Sequence, residues 1–233
     1  MKTFLKDIYR SIGRFINPKE DDFYYYAMKI VDVMKEEIFK HFGVPMDDVK
    51  IEFDTEDCGK ILGVYRYTVV KTIANCYSTN DGYIGISSST ANPDKKEISI
   101  IPPKKEKVLD IKVIERRIIL FLKVHYNSYK YDLNVFMEKV LETLSHEVFH
   151  IYQQNRDVIE FDKHSSTSDA DDDMYENNPI EIEANYKSKL FMLEKFKRIE
   201  KSINRIRARD FAVYISLWAL LNFILFNIVL YFI

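Results

Sequence analysis

Apolar residues recur at helical spacing along four parts of this 233-residue chain. A period of 3.6 residues predicts an amphipathic helix in each of them. These parts are residues 1–20, 23–42, 132–154 and 180–206. Gly43 is expected to end the second helix, and Pro179 suits the first turn of the fourth.

Between the second and third helices, short runs rich in β-branched and aromatic residues predict strands. They are Val49–Phe53, Tyr65–Ala74, Tyr83–Ile86 and Ile98–Ile101, and the last two are expected to form a hairpin. Residues 108–124 have apolar positions that fit a helix and the β-branched content of a strand, so both interpretations stay open. Helices followed by strands and then by more helices predict an α+β fold.

The chain carries no charged side chain from residue 211 to residue 233. At 1.5 Å per residue this run would measure about 35 Å, enough to cross a bilayer core of about 30 Å. We therefore expect a C-terminal transmembrane anchor at 211–233, a domain at 21–210 and an N-terminal amphipathic helix at 1–20. A buried core helix or an oligomerisation helix is the alternative for the tail.

Basic residues precede this apolar run and predict that the domain is cytoplasmic, with the anchor crossing outward. They are Lys195, Lys197, Arg198, Lys201, Arg205, Arg207 and Arg209. The N-terminal helix is interrupted by charges and is not a secretory signal, so it either packs on the domain or lies on the membrane surface. A net charge of −2 argues against general attraction to nucleic acid.

Residues 146–150 read H-E-V-F-H within the third predicted helix. His146 and His150 are four residues apart, so they lie on one helical face and can bind one metal ion together. Glu147 then lies beside the position of a metal-bound water, where it can act as a general base. This arrangement is typical of a zinc hydrolase and predicts Zn²⁺ as the cofactor.

The third ligand is expected from residues 178–185, which read N-P-I-E-I-E-A-N. Glu181 shares a helical face with the small residues Ala184 and Ser188, which would allow close helix packing. We prefer Glu181 as the third ligand. Glu183 points in another direction and stays the alternative, since the sequence alone does not settle the choice. Asn185 is a candidate for holding a ligand histidine from outside the metal centre.

Three further features near these motifs remain open. His164 lacks the spacing expected of a third histidine ligand. Residues 156–178 predict an irregular acidic connection, in which a calcium site is conceivable but lacks the ligand spacing. Tyr152, Tyr175 and Tyr186 are candidates for stabilising a developing oxyanion.

The two motifs resemble those of a zincin metallopeptidase of the gluzincin kind, most similar to the ImmA/IrrE-like group. This resemblance implies a small mixed sheet packed on the H-E-x-x-H helix and a glutamate ligand from the next helix. The expected function is a membrane-tethered zinc metallopeptidase that hydrolyses peptide or protein substrates with Glu147 as general base. A catalytically silent zincin-like sensor or binding domain is the alternative, and the tail could also support oligomers.

Overall fold

The computed structural model describes residues 18–79, 82–86, 105–165 and 177–232. The helix predicted at 1–20 lies almost wholly outside these residues, as do the strand predicted at 98–101 and Tyr175. The described elements follow the chain as α1 (Glu20–Phe42), β1 (Val49–Asp54), β2 (Gly63–Thr79), β3 (Gly82–Ile86), β4 (Lys105–Phe121), α2 (Leu122–Tyr129), α3 (Leu133–Arg156), α4 (Val158–Ser165) and α5 (Pro179–Phe232).

The four described strands form one mixed sheet in the order β1-β4-β2-β3. β1 pairs parallel to β4, whereas β2 is antiparallel to both β4 and β3. Ile118 of β4 lies opposite Ile51 on one side and Tyr65 on the other. The open interpretation of residues 108–124 therefore resolves as a strand through Phe121, because pairing with β1 and β2 provides backbone hydrogen-bond partners on both sides.

The core forms around α3, which packs on α1 and on the sheet. Side chains such as Ile30, Ile38, Leu141 and Val148 are fully buried there. The carboxylate of Asp132 caps α3 by accepting the backbone N–H groups of the first turn, at 2.8 and 3.2 Å. The prediction of an α+β protein with a small mixed sheet is confirmed.

The connection predicted to be irregular at residues 156–178 contains a short helix, so that prediction was wrong for α4. The Asp157 carboxylate accepts the Glu160 backbone N–H at 3.0 Å and supports the first turn. Phe161 is 4% exposed and packs against the rings of Tyr65 and Tyr67. Burial of this one aromatic side chain holds a segment whose other residues are mostly polar.

Helix α5 is 54 residues long and has no glycine or proline after its first residue. Its first half packs on α1 and α3 and buries Ala184, Phe191, Ile199 and Ile203. From Phe211 to Leu230, a stretch that we call the apolar half, most of its large apolar side chains are exposed. This half is long and apolar enough to cross a membrane.

Candidate metal centre

Three side chains from two helices converge on one point. His146 Nε2 lies 2.9 Å from His150 Nε2 and 3.1 Å from Glu181 Oε2, and His150 Nε2 lies 3.4 Å from Glu181 Oε1. The three residues are only 9%, 6% and 9% exposed. The structure thus brings together the two histidines of α3 and the carboxylate that we preferred on α5.

Small side chains allow this convergence. Ala184 and Ser188 lie one and two turns after Glu181 and are 0% and 2% exposed, on a helix that packs on α3 and α1. Asn178 caps α5, because its side-chain oxygen accepts the Ile180 backbone N–H at 3.0 Å. The cap fixes the first turn of α5, which carries Glu181.

The cluster fits a zinc ion in donor type and in spacing. A tetrahedral ion with bonds of about 2.1 Å holds its ligand atoms roughly 3.4 Å apart. The three observed separations of 2.9, 3.1 and 3.4 Å approach that value. Two imidazoles and one carboxylate also form a ligand set that catalytic zinc sites use.

The electrostatics of the cluster favour a cation. Burial would lower the pKa of His150, but Glu181 and Glu147 outweigh burial and raise it. Burial would likewise raise the pKa of Glu181, yet hydrogen bonds from His146 and His150 lower it. In the absence of metal a proton can occupy the centre, and a metal ion would replace that proton.

Glu147 lies beneath the first residues of β2 and is 5% exposed. A Cβ atom on Gly63 would come within 2.5 Å of Thr143 Cγ2 and 3.3 Å of Glu147 Oε1, so only glycine fits without a shift. The carboxylate interacts with the backbone N–H of Tyr65. Burial, as the largest effect, raises the pKa of Glu147 above its ordinary value.

Glu183, the alternative ligand, points to a different group of side chains. Its carboxylate accepts two hydrogen bonds from Arg156, each 3.1 Å, and one from Gln153 Nε2 at 3.0 Å. Gln153 in turn bonds His150 Nδ1 at 2.9 Å, whereas Asn185 is exposed. Asn185, the candidate for holding a ligand histidine, is therefore not in that position, and Gln153 contacts His150 instead.

Sequence reasoning missed both Gln153 and Gly63. Gln153 follows His150 by three residues, a spacing that places both on one helical face and could have indicated the contact. No local sequence pattern indicates the role of Gly63. Its close approach to Thr143 on α3 depends on the packing of β2, and the two residues are 80 positions apart in the chain.

The remaining candidates do not join the cluster in the described residues. His164 bonds Glu160 at 2.7 Å on the surface of α4. Tyr152 is 38% exposed and stacks on Phe149, and Tyr186 is 62% exposed. The contacts of Tyr152 and Tyr186 therefore do not identify either hydroxyl as the donor to a developing oxyanion.

No family model, curated protein or solved structure matches this chain. The likeness to zincins accordingly rests on the two sequence motifs and on the geometry of the metal centre.

Proposed function

We propose that this protein is a membrane-tethered, zinc-dependent metallopeptidase of the zincin type. The observation that carries the proposal is the convergence of His146, His150 and Glu181 at 2.9–3.4 Å, from residues 35 positions apart. Burial of these groups away from bulk water is otherwise costly, and a shared metal ion compensates for it.

Bound zinc would supply Lewis acidity and a water molecule whose pKa is near 7. His146, His150 and Glu181 would hold the ion. Glu147 is adjacent on α3, and its raised pKa suits a group that must take a proton and release it again. It would accept the proton of the attacking water and pass it to the leaving amine of the peptide bond.

Strand β2 offers an edge for an extended substrate close to Glu147. Among the described residues, β3 pairs with β2 only from Cys76 onward, so no described strand lies along the edge of β2 away from β4 between Gly63 and Asn75. A peptide could add there as a further strand, bound mainly by main-chain hydrogen bonds.

The exposed apolar half of α5 would anchor the chain in a membrane. The basic residues before it favour a cytoplasmic position for the metal centre, since positively charged flanks tend to remain in the cytoplasm. Single-pass anchoring with a cytoplasmic active site is the topology that we propose.

The test uses the full chain purified in detergent. We expect about one zinc ion per chain and cleavage of casein or a peptide mixture that a chelator abolishes. Glu147→Gln should retain zinc and lower cleavage at least about a hundredfold, since proton transfer by a positioned group contributes that much. Zinc-bound protein whose cleavage survives this substitution would contradict the mechanism.

A catalytically silent zincin-like sensor is the second candidate, favoured by the burial of Glu147 beneath β2. It predicts zinc binding without turnover of any peptide. Glu147→Ala would then leave every measured property except stability unchanged, whereas the peptidase would lose its activity.

A further inference from the structure

The side chain of Gln153 joins the two helices of the metal centre. It is 3% exposed, and its Oε1 lies 2.9 Å from His150 Nδ1. Its Nε2 lies 3.0 Å from both the Ile180 carbonyl oxygen and Glu183 Oε2. The Gln153 amide thus contacts His150, a proposed ligand on α3, and also the turn of α5 that carries the proposed ligand Glu181.

These contacts fix which way the amide faces. A backbone carbonyl and a carboxylate can only accept hydrogen bonds, so both require the NH₂ group of Gln153 on their side. The amide oxygen must then face His150, and His150 Nδ1 must donate the hydrogen bond. In a neutral ring the lone pair is left on Nε2, the atom that faces His146 and Glu181.

Arg156 holds the Glu183 carboxylate in place beside Gln153. The guanidinium makes two hydrogen bonds to the two carboxylate oxygens, each 3.1 Å long. The Ile180 carbonyl oxygen lies on the same side of the amide, 3.0 Å from Gln153 Nε2, and cannot donate a hydrogen bond.

We infer that Glu183 is a positioning residue that acts through Gln153 to set the tautomer and orientation of His150 for metal binding. The inference rests on the proposed function, because it assigns a task to side chains outside the zinc ligands. It also separates the two glutamates of the second motif, with Glu181 binding the ion and Glu183 orienting a ligand. Partners of this kind change metal affinity about ten- to a hundredfold.

The experiment measures Zn²⁺ affinity of the full chain in detergent by competition with a chromophoric chelator. Gln153→Leu and Glu183→Leu should each weaken binding within the ten- to hundredfold range. The double variant should bind no more weakly than the weaker single variant, because Glu183 acts through Gln153. Glu194→Leu, the same substitution at an exposed position of α5, should leave affinity unchanged.

A second readout reports ligand geometry rather than stability. The visible absorption of the Co²⁺-loaded chain should change in Gln153→Leu and Glu183→Leu and stay that of the wild type in Glu194→Leu. Unchanged affinity and spectra in the two variants, or losses that multiply in the double variant, would overturn the inference. A wild-type chain that binds no Zn²⁺ would overturn both the proposed function and this inference.

Discussion

Gly63 shows how a single missing methyl group shapes the site. A Cβ atom on residue 63 would lie 2.5 Å from Thr143 Cγ2. Strand β2 can therefore lie this close to Glu147 only because residue 63 is a glycine. We expect Gly63→Ala to lower the free energy of unfolding by about 1–3 kcal/mol, the usual cost of overpacking. Thermal unfolding of the metal-free chain in detergent measures this.

Thr143→Ser provides the matched test, since it removes the Cγ2 atom that clashes. The double variant should lose clearly less stability than the sum of the two single variants. Strict additivity, or a Gly63→Ala variant as stable as the wild type, would show that β2 does not lie this close to α3.

His125 makes the fold sensitive to acid. It is fully buried beside Phe136, and burial lowers its pKa to about 4. The unfolded chain takes up this proton near pH 6.5, so the contribution is fully present above that pH and is lost as the pH falls towards 4. The difference amounts to about 3 kcal/mol.

Denaturant unfolding of the metal-free chain at pH 7.5 and pH 4.5 measures this effect. His125→Phe replaces the imidazole with a ring that does not titrate, and should lose less stability over this interval than the wild type. Equal losses in the two proteins would contradict the assignment of this acid sensitivity to His125.

At the scale of single elements, the first turn of α5 determines where Glu181 lies. Asn178→Ala removes the acceptor for the Ile180 N–H and also the 3.3 Å contact to the His164 carbonyl. We expect a loss of about 1 kcal/mol in unfolding free energy. A matched change at an exposed position of α5, Asn204→Ala, should cost less, and a larger cost there would contradict the capping role.

The long helices α1, α3 and α5 and the pairing of His146 with His150 were predictable because each depends on local spacing. The choice of Glu181 over Glu183 depends on how α5 packs on α3. The four-residue separation of His146 and His150 already places them on one face, and Ala184 and Ser188 mark the face of α5 that packs closely. The sheet was only partly predictable, since residues 108–124 satisfy two periodicities and only pairing with β1 and β2 decides between them. Helix α4 was missed because its stability comes from burial of Phe161 against Tyr65 and Tyr67.

At the scale of the whole molecule, α5 connects the proposed ligand Glu181 to the apolar half without a break. Thirty residues separate Glu181 from Phe211, or about 45 Å along the axis at 1.5 Å per residue. Helix α3 runs antiparallel beside it, with Arg207 donating to Asn134 at 2.9 Å at the end away from the metal centre. The metal centre therefore lies at the end of the packed helices farthest from the apolar half.

A helix tilt of up to about 40° in a membrane would still leave the metal centre about 35 Å from the bilayer core. A membrane-bound substrate would need at least about ten extended residues between its own anchor and the cleaved bond, because ten residues span about 35 Å. Soluble proteins meet no such limit. We therefore expect cleavage of soluble or long-stalked substrates and none at bonds close to the membrane.

Energy transfer to acceptor-labelled lipids tests this height directly in vesicles containing the full chain. Fluorophores would be attached through Tyr186→Cys, near the metal centre, and through Arg209→Cys, next to the apolar half, with Cys58 and Cys76 replaced by serine. Both positions are exposed on the same helix, so they differ chiefly in height. Transfer should be much weaker from position 186 than from position 209. Equal transfer would mean that α5 lies along the membrane, which would bring the metal centre within reach of bonds at its surface.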